Sequence, residues 1–241
     1  MVGVVAFLGL NGVSQAAENA ATPPTAKALV ERYIEAAGGR PALEKLKTRV
    51  TKGKMEVTAM GVSGDLEIRA KSPNKQVSAV DLAGLGAMRE GYDGTVAWSA
   101  APGMGIRNKT GGELARVQRT MVFPRELKIL ETYERMEVKG SAKILGADVW
   151  VVEGSSKGSK PDRLFFDQKS GFLVREESTV DTLVGEMTFQ IDMLDYRDVD
   201  GVKVPFLIKI PKPETMGLQI KVEKVVHNVE VPDSDFSKPR S

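Results

Sequence analysis

The chain has 241 residues, of which 41% are apolar and 27% are charged, a composition typical of soluble globular proteins. Its net charge of +2 gives no electrostatic reason to expect nucleic acid as a partner. The absence of cysteine excludes disulfides, thiolate nucleophiles and Cys-ligated zinc. Because there is also only one histidine, His227, we predict no catalytic residues, no metal and no cofactor, and therefore no enzyme.

The first residues are typical of an export signal. An uncharged apolar run over residues 2–13 precedes Ser14-Gln15-Ala16, which fits a small-x-small cleavage site. The run is too short to be an ordinary membrane-spanning helix. We therefore predict a signal peptide over 1–16, a disordered tether over 17–25 and one domain over 26–239. The mature protein is expected to be periplasmic, soluble and not transmembrane.

Helices are predicted at two places. Thr25 is a suitable N-cap for a first helix, which Gly38-Gly39 ends, and Pro41 favours a short second one. Apolar residues at helical spacing also predict helices over 113–122 and 126–132.

From Val50 onwards the apolar period changes from about 3.6 residues to 2, which indicates β-strands. About a dozen strands follow without βαβ spacing, as in an antiparallel meander, and residues 101–112 are expected to form a loop. A sheet of this size must twist and curl, so one face becomes concave. We predict a mainly β (α+β) fold, a single curved antiparallel sheet covered by the first helix and the 113–132 segment.

The three clearest strands, near 186–193, 203–210 and 218–227, each carry an apolar face. Two short helices, each ~10–12 Å in diameter, can cover only part of that surface. Methionine, of which the chain has ten, suits adaptable apolar sites. The residues expected to face a ligand cavity are Met187, Phe189, Ile191, Phe206, Ile208, Leu218 and Ile220. Trp98 is expected near the rim, and Leu114, Val117 and Met121 on the inward side of a helical lid.

Other polar residues are interpreted as structural. His227 shares a strand face with Lys221 and Glu223, so we expect it to face solvent. Adjacent acids on a strand point to opposite faces, so Glu176-Glu177 cannot converge for acid–base catalysis. The carboxylate pairs, which include Asp192 with Asp195, are expected to lie on solvated faces.

Four motifs occur in a characteristic order along residues 28–239. They are an N-terminal helix with Gly38-Gly39-Arg40-Pro41-Ala42-Leu43, Gly64-Asp65-Leu66 followed by Pro73-Asn74, Tyr92-Asp93-Gly94 with Trp98, and the ending Asp235-Phe236-Ser237-Lys238-Pro239. This order resembles the outer-membrane lipoprotein carrier superfamily (LolA/LolB-like), in particular its exported lipoprotein-sorting members.

The resemblance implies an incomplete barrel around an apolar cavity that accepts lipoprotein acyl chains and is closed by helices. In the carrier, an arginine before the Pro-Asn corner helps to hold the lid shut. Ser72 stands at that position here, and Lys71 or Arg69 are the candidate substitutes.

Three hypotheses about function remain open at this stage. The first is a non-catalytic carrier or sensor for a lipid, an acyl chain or a lipoprotein, with another envelope protein as a second possible partner. The second is a structural or interaction module of the cell envelope with a packed, ligand-free sheet. The third is an enzyme, which would need a convergent polar cluster that the sequence does not supply.

Overall fold

The computed structural model describes residues 23–182, 185–212 and 217–240. The predicted signal peptide and residues 17–22 of the predicted tether lie outside the described residues. Within the described ranges, no helix has both the length and the apolar composition needed to cross a membrane.

A single antiparallel sheet of thirteen strands dominates the fold and curves without closing into a barrel. The strands are β1 (Thr48–Val57), β2 (Val62–Lys71), β3 (Lys75–Leu82), β4 (Gly86–Tyr92), β5 (Ala97–Ala101), β6 (Gly105–Asn108), β7 (Arg135–Ile144), β8 (Ala147–Ser155), β9 (Asp162–Asp167), β10 (Leu173–Thr182), β11 (Gly185–Val199), β12 (Val202–Lys212) and β13 (Leu218–His227). Their order across the sheet is β6-β5-β4-β3-β2-β1-β13-β12-β11-β10-β9-β8-β7. The predicted fold class is confirmed.

One strand was missed by the sequence pattern. The expected loop over 101–112 contains β6, which pairs with β5 and forms one edge of the sheet. It has only four residues and lies between Gly103 and Gly111, both at positive φ, so it is too short for period-2 alternation to be visible.

Four α-helices are described. They are α1 (Ala26–Ala36), α2 (Arg40–Leu43), α3 (Gly111–Thr120) and α4 (Ile129–Thr132), and 3-10 turns occupy Arg125–Lys128 and Asp233–Phe236. Thr25 caps α1 as predicted, because its hydroxyl accepts a hydrogen bond from the Ala28 N–H. We refer to α3 as the lid helix and to residues 111–132 as the lid segment.

Helix α1 fills one end of the concave face. Its buried side chains Leu29, Val30 and Ile34 enter the main hydrophobic core, and the Tyr33 ring lies 6.1 Å from the Phe166 ring of β9. The Ala37 carbonyl accepts a hydrogen bond from the Lys203 N–H at 2.8 Å, which joins the end of the helix to β12. Since α1 occupies only this end, the other end of the concave face needs a different cover.

A β-bulge in β13 changes which residues of that strand face inward. In the pairing with β1, Gly53 lies opposite Val222 whereas Lys52 lies opposite Lys224, so Glu223 is the extra residue. One inserted residue reverses the alternation beyond it. His227, expected to face solvent, is therefore buried, and that expectation was wrong.

The convex face near β5 is covered by the C-terminal segment. Trp98 is 1% exposed, and its indole N–H donates a hydrogen bond to the Phe236 carbonyl at 3.0 Å. Gly91 makes room for the ring, because a Cβ there would lie 2.6 Å from Trp98 Cζ2. Asp235 pairs with Arg69, and Asp233 pairs with Lys71. These contacts fix the end of the chain on the side of the sheet opposite the lid helix.

Candidate ligand-binding site

The concave face beneath the lid helix contains an open apolar cavity of about 490 Å³, which we call the groove. Its walls come from both halves of the sheet and from the lid helix. The apolar residues that line it are Met55, Val57, Met60, Val80, Leu82, Met88, Ala100, Ala101, Val117, Val180, Phe189, Ile191, Ile210 and Leu218. Its volume lies within the range of known small-molecule sites.

A second cavity of about 220 Å³ adjoins the groove on the same face, and we call it the inner cavity. Alternate residues of three strands pass from one cavity to the other: Ser78 to Gln76 on β3, Ile191 to Met193 on β11, and Ile210 to Ile208 on β12. Two residues along a strand correspond to roughly 7 Å. Arg49, Arg125 and Glu126 form part of the wall of the inner cavity.

The lid helix crosses the open side of the sheet. On one side, Leu114, Val117 and Met121 pack against Tyr92 and Ala97 of β4 and β5. On the other side the helix meets β10, where Arg116 Nε donates a hydrogen bond to Ser178 Oγ at 3.1 Å.

The same arginine also covers the groove. The Arg116 guanidinium carbon lies 4.6 Å from the centroid of the Phe189 ring, a cation–π contact over a groove residue. A movement of the lid helix away from β10 would therefore break a hydrogen bond and a ring contact together.

Buried ion pairs fasten the lid segment to β9 and β10. Arg119 Nε lies 2.9 Å from Asp162 Oδ2, and the Tyr133 hydroxyl donates to the same oxygen at 3.0 Å. Arg125 makes a two-nitrogen contact with Glu176, with both distances 2.7 Å. Burial, together with repulsion from Glu176, raises the pKa of Asp162 although Arg119 opposes that rise. Buried pairs of this kind are costly to break from one side.

The candidate substitutes for the family's lid arginine do not contact the lid segment. Arg69 pairs with Glu67 and Asp235, and Lys71 donates to the Val231 carbonyl and pairs with Asp233. Both side chains hold the C-terminal segment on the convex face, because Arg69 and Lys71 point away from the concave face along β2. The ion pairs between the sheet and the lid segment come instead from Arg49, Arg107, Asp162 and Glu176.

His227 lies beside the inner cavity and contacts Arg49, which is one of the residues that line it. Its Nε2 accepts a hydrogen bond from Arg49 Nε at 3.0 Å, and its Nδ1 lies 3.4 Å from Asp200 Oδ2. Burial and the Arg49 charge lower the pKa of His227, against the opposing effects of Asp200 and Glu126. The neutral imidazole thus orients Arg49.

Two carboxylates that were expected on solvated faces are buried, and this expectation was wrong for them. Glu176 and Glu177 do point to opposite faces, but Glu176 points to the lid segment and is 4% exposed. Asp192, also 4% exposed, pairs with Arg175 at 2.5 Å. Burial of these carboxylates is possible because Arg125 pairs with Glu176 and Arg175 pairs with Asp192.

The predicted cavity residues divide among several environments. Phe189, Ile191, Leu218 and Val117 line the groove, and Ile208 lines the inner cavity. Ile220 is buried in the main core, and Phe206 packs against that core as a partly buried residue whose ring centroid lies 4.7 Å from the Arg197 guanidinium carbon. Leu114 and Met121 belong to the cluster that seats the lid helix, and Met187 lies opposite Val180 on β10.

Trp98 does not line the groove, which corrects the expectation that it stands at the rim. Its indole N–H donates to the Phe236 carbonyl, and the ring lies with Ala79 and Asp235 on the convex face.

Sequence reasoning missed the groove residues of the first half of the sheet. The inward positions Ser78, Ser99 and Glu90 are polar, which hides the apolar faces of β3, β4 and β5 from a period-2 search. Met55 and Val57 of β1 alternate clearly with Lys54 and Glu56, and this alternation predicted the strand, but neither residue was predicted to face the cavity. The Arg116–Phe189 contact has no local sequence signal.

The architecture described above is that of the LolA superfamily fold. A LolA superfamily protein from Nitrosomonas europaea matches with a TM-score of 0.57 at 12% identity, over 90% of this chain and 99% of the other. A DUF1329 family protein from Desulfovibrio piger matches with a TM-score of 0.55 at 11% identity, over 88% and 96%. A protein assigned as an outer membrane lipoprotein-sorting domain from Vibrio parahaemolyticus gives 0.52 at 14% identity, over 87% and 97%.

Identities this low establish the fold alone. No protein-family model matches the sequence, and no curated protein matches it either. The sequence-based resemblance to the lipoprotein carrier superfamily is nevertheless confirmed as a likeness of fold.

Proposed function

We propose that this protein is a periplasmic, non-catalytic carrier or sensor that binds an acyl chain of a lipid or lipoprotein in the groove. The observation that carries the proposal is the unfilled apolar groove of about 490 Å³ between the lid helix and the sheet. Burying an acyl chain there yields about 0.8 kcal/mol for each methylene removed from water. A chain of a dozen methylenes has enough apolar surface for a stable complex.

The lid segment supports a role in opening and closing. The lid helix closes the groove through side-chain contacts, and its own apolar cluster with Tyr92 and Ala97 is small. Ion pairs fasten the lid segment at both ends, because Arg119 and Arg125 pair with Asp162 and Glu176, and Glu113 in the first turn of the lid helix pairs with Arg107 of β6. Opening of the groove at the middle of the lid helix would separate Arg116 from Ser178 and from the Phe189 ring.

The comparisons add support of a general kind. One of the structural neighbours is assigned to lipoprotein sorting, and all three share the curved sheet of the LolA type. The second hypothesis, a packed structural module, has less support because the described side chains leave both cavities open.

The proposal is tested by extracting the purified protein with organic solvent. The chain is produced in bacteria with its N-terminal segment, recovered from the periplasm, and the extract is analysed by mass spectrometry. We expect an acyl-chain lipid in an amount approaching one per protein. An extract that is empty in repeated preparations, from protein that also fails to bind added fatty acid, would contradict the proposal.

A further inference from the structure

Buried guanidinium nitrogens lack hydrogen-bond partners beside the inner cavity. Among the described residues, Arg49 Nη2 and Arg125 Nε are buried and have no acceptor. Both arginines line the inner cavity, and the nearest carboxylate oxygen of Glu126 is 4.0 Å from Arg49 Nη2, too far for a hydrogen bond. Buried donors without an acceptor are rare in folded proteins and point to a missing partner.

The charges of this wall are already balanced. Glu176 holds Arg125, and Glu126 and Glu176 together offset the two arginines. His227 adds no charge when neutral, and Tyr33, whose pKa burial raises, adds only a neutral phenol. The cavity therefore lacks hydrogen-bond acceptors rather than negative charge.

The position of the groove indicates which kind of ligand could supply the missing hydrogen-bond acceptor. Val57 in the groove and Arg49 in the inner cavity lie on the same strand, eight residues or roughly 26 Å apart. A chain that extends from the groove into the inner cavity with its polar end first places that end beside Arg49. A ligand that fits both cavities therefore has an apolar chain and an oxygen at its end that accepts hydrogen bonds.

We propose that the inner cavity is a head-group site, in which Arg49 and Arg125 donate hydrogen bonds to the carboxyl or ester carbonyl oxygen at the end of an acyl chain. This inference rests on the proposed function and makes it more specific, because it fixes the direction of the chain. A free fatty acid and an esterified acyl chain share this chemistry, and the experiment separates them.

The experiment measures displacement of the neutral dye Nile red by dodecanoate, methyl dodecanoate and dodecane. In the wild type, at least one of the two oxygenated ligands should displace the dye at a concentration about ten- to hundredfold lower than dodecane, as expected for a hydrogen bond to a charged donor. Preference for the acid alone identifies a carboxylate ligand, and equal binding of acid and ester identifies an acyl carbonyl.

Variants of Arg49 test whether the preference for oxygenated ligands arises in the inner cavity. Arg49→Gln should remove the advantage of the oxygenated ligands and leave dodecane unchanged, while Arg49→Lys should keep part of it. Arg69→Gln, an arginine on the convex side of β2, is the matched control and should behave as the wild type. Thermal unfolding of each variant checks that it is folded.

The outcomes are distinct. Equal displacement by all three ligands in the wild type, or an equal loss for all three in Arg49→Gln, would overturn the head-group site and leave the groove as an apolar site, with water filling the inner cavity. Failure of every ligand, dodecane included, would overturn the proposed function itself.

Discussion

Replacing Asp162 with alanine is expected to lower the free energy of unfolding by about 3–5 kcal/mol, the usual cost of removing one partner of a buried ion pair. Asp162 is 1% exposed, and the Arg119 guanidinium and the Tyr133 hydroxyl both donate to it. Alanine leaves a buried cation and a buried hydroxyl without their acceptor. Urea denaturation followed by circular dichroism measures the change.

Two controls define the result. Asp162→Asn keeps the size and one acceptor, so its loss should be clearly smaller. Asp65→Ala removes an exposed carboxylate that pairs with Lys54 and should change stability little. A loss below about 1 kcal/mol for Asp162→Ala, within the range of an exposed pair, would show that the Arg119 pair does not fasten the lid segment.

Replacing Ser78 with tryptophan is expected to weaken binding of an acyl-chain ligand by more than tenfold. Ser78 lines the groove from β3, so an indole there displaces several methylenes of a bound chain. Exclusion of only two methylenes costs about 1.6 kcal/mol at 0.8 kcal/mol each, which already exceeds a factor of ten. Titration of Nile red or dodecanoate by fluorescence measures the change.

Ala79→Trp provides the matched control on the adjacent residue. Ala79 points to the convex face, where it lies near Trp98 and Asp235. The same side chain at this position should leave ligand affinity within about twofold of the wild type. If both variants bind as tightly as the wild type, or if both lose affinity equally, the groove is not the binding site.

Much of the sheet was predictable because its determinants are local. The Thr25 cap, the period-2 alternation of β11 and β12, and the Gly-containing turns each act over a few residues. These signals identified twelve strands and placed the lid helix within two residues of its observed start. The four-residue β6 has too few residues for such a signal.

The errors arose where one residue or a distant partner decided the outcome. The Glu223 bulge reversed the alternation of β13 and buried His227, and a strict period of 2 cannot anticipate an inserted residue. Glu176 and Asp162 are buried because Arg125 and Arg119, which lie 51 and 43 residues away in the sequence, pair with them. The residues predicted to face a cavity therefore include Phe189, Ile191, Leu218 and Val117 of the groove and Ile208 of the inner cavity, while the arginines of the inner cavity were not predicted.

Photo-crosslinking with a fatty acid that carries a diazirine midway along its chain locates the acyl-chain site itself. After irradiation and proteolysis, mass spectrometry locates the labelled residues. We predict saturable labelling of groove residues, with Phe189, Met55 and Val117 as the main positions. Saturable labelling of the convex face near Trp98 and Asp235, with none in the groove, would show that the groove is not the acyl-chain site.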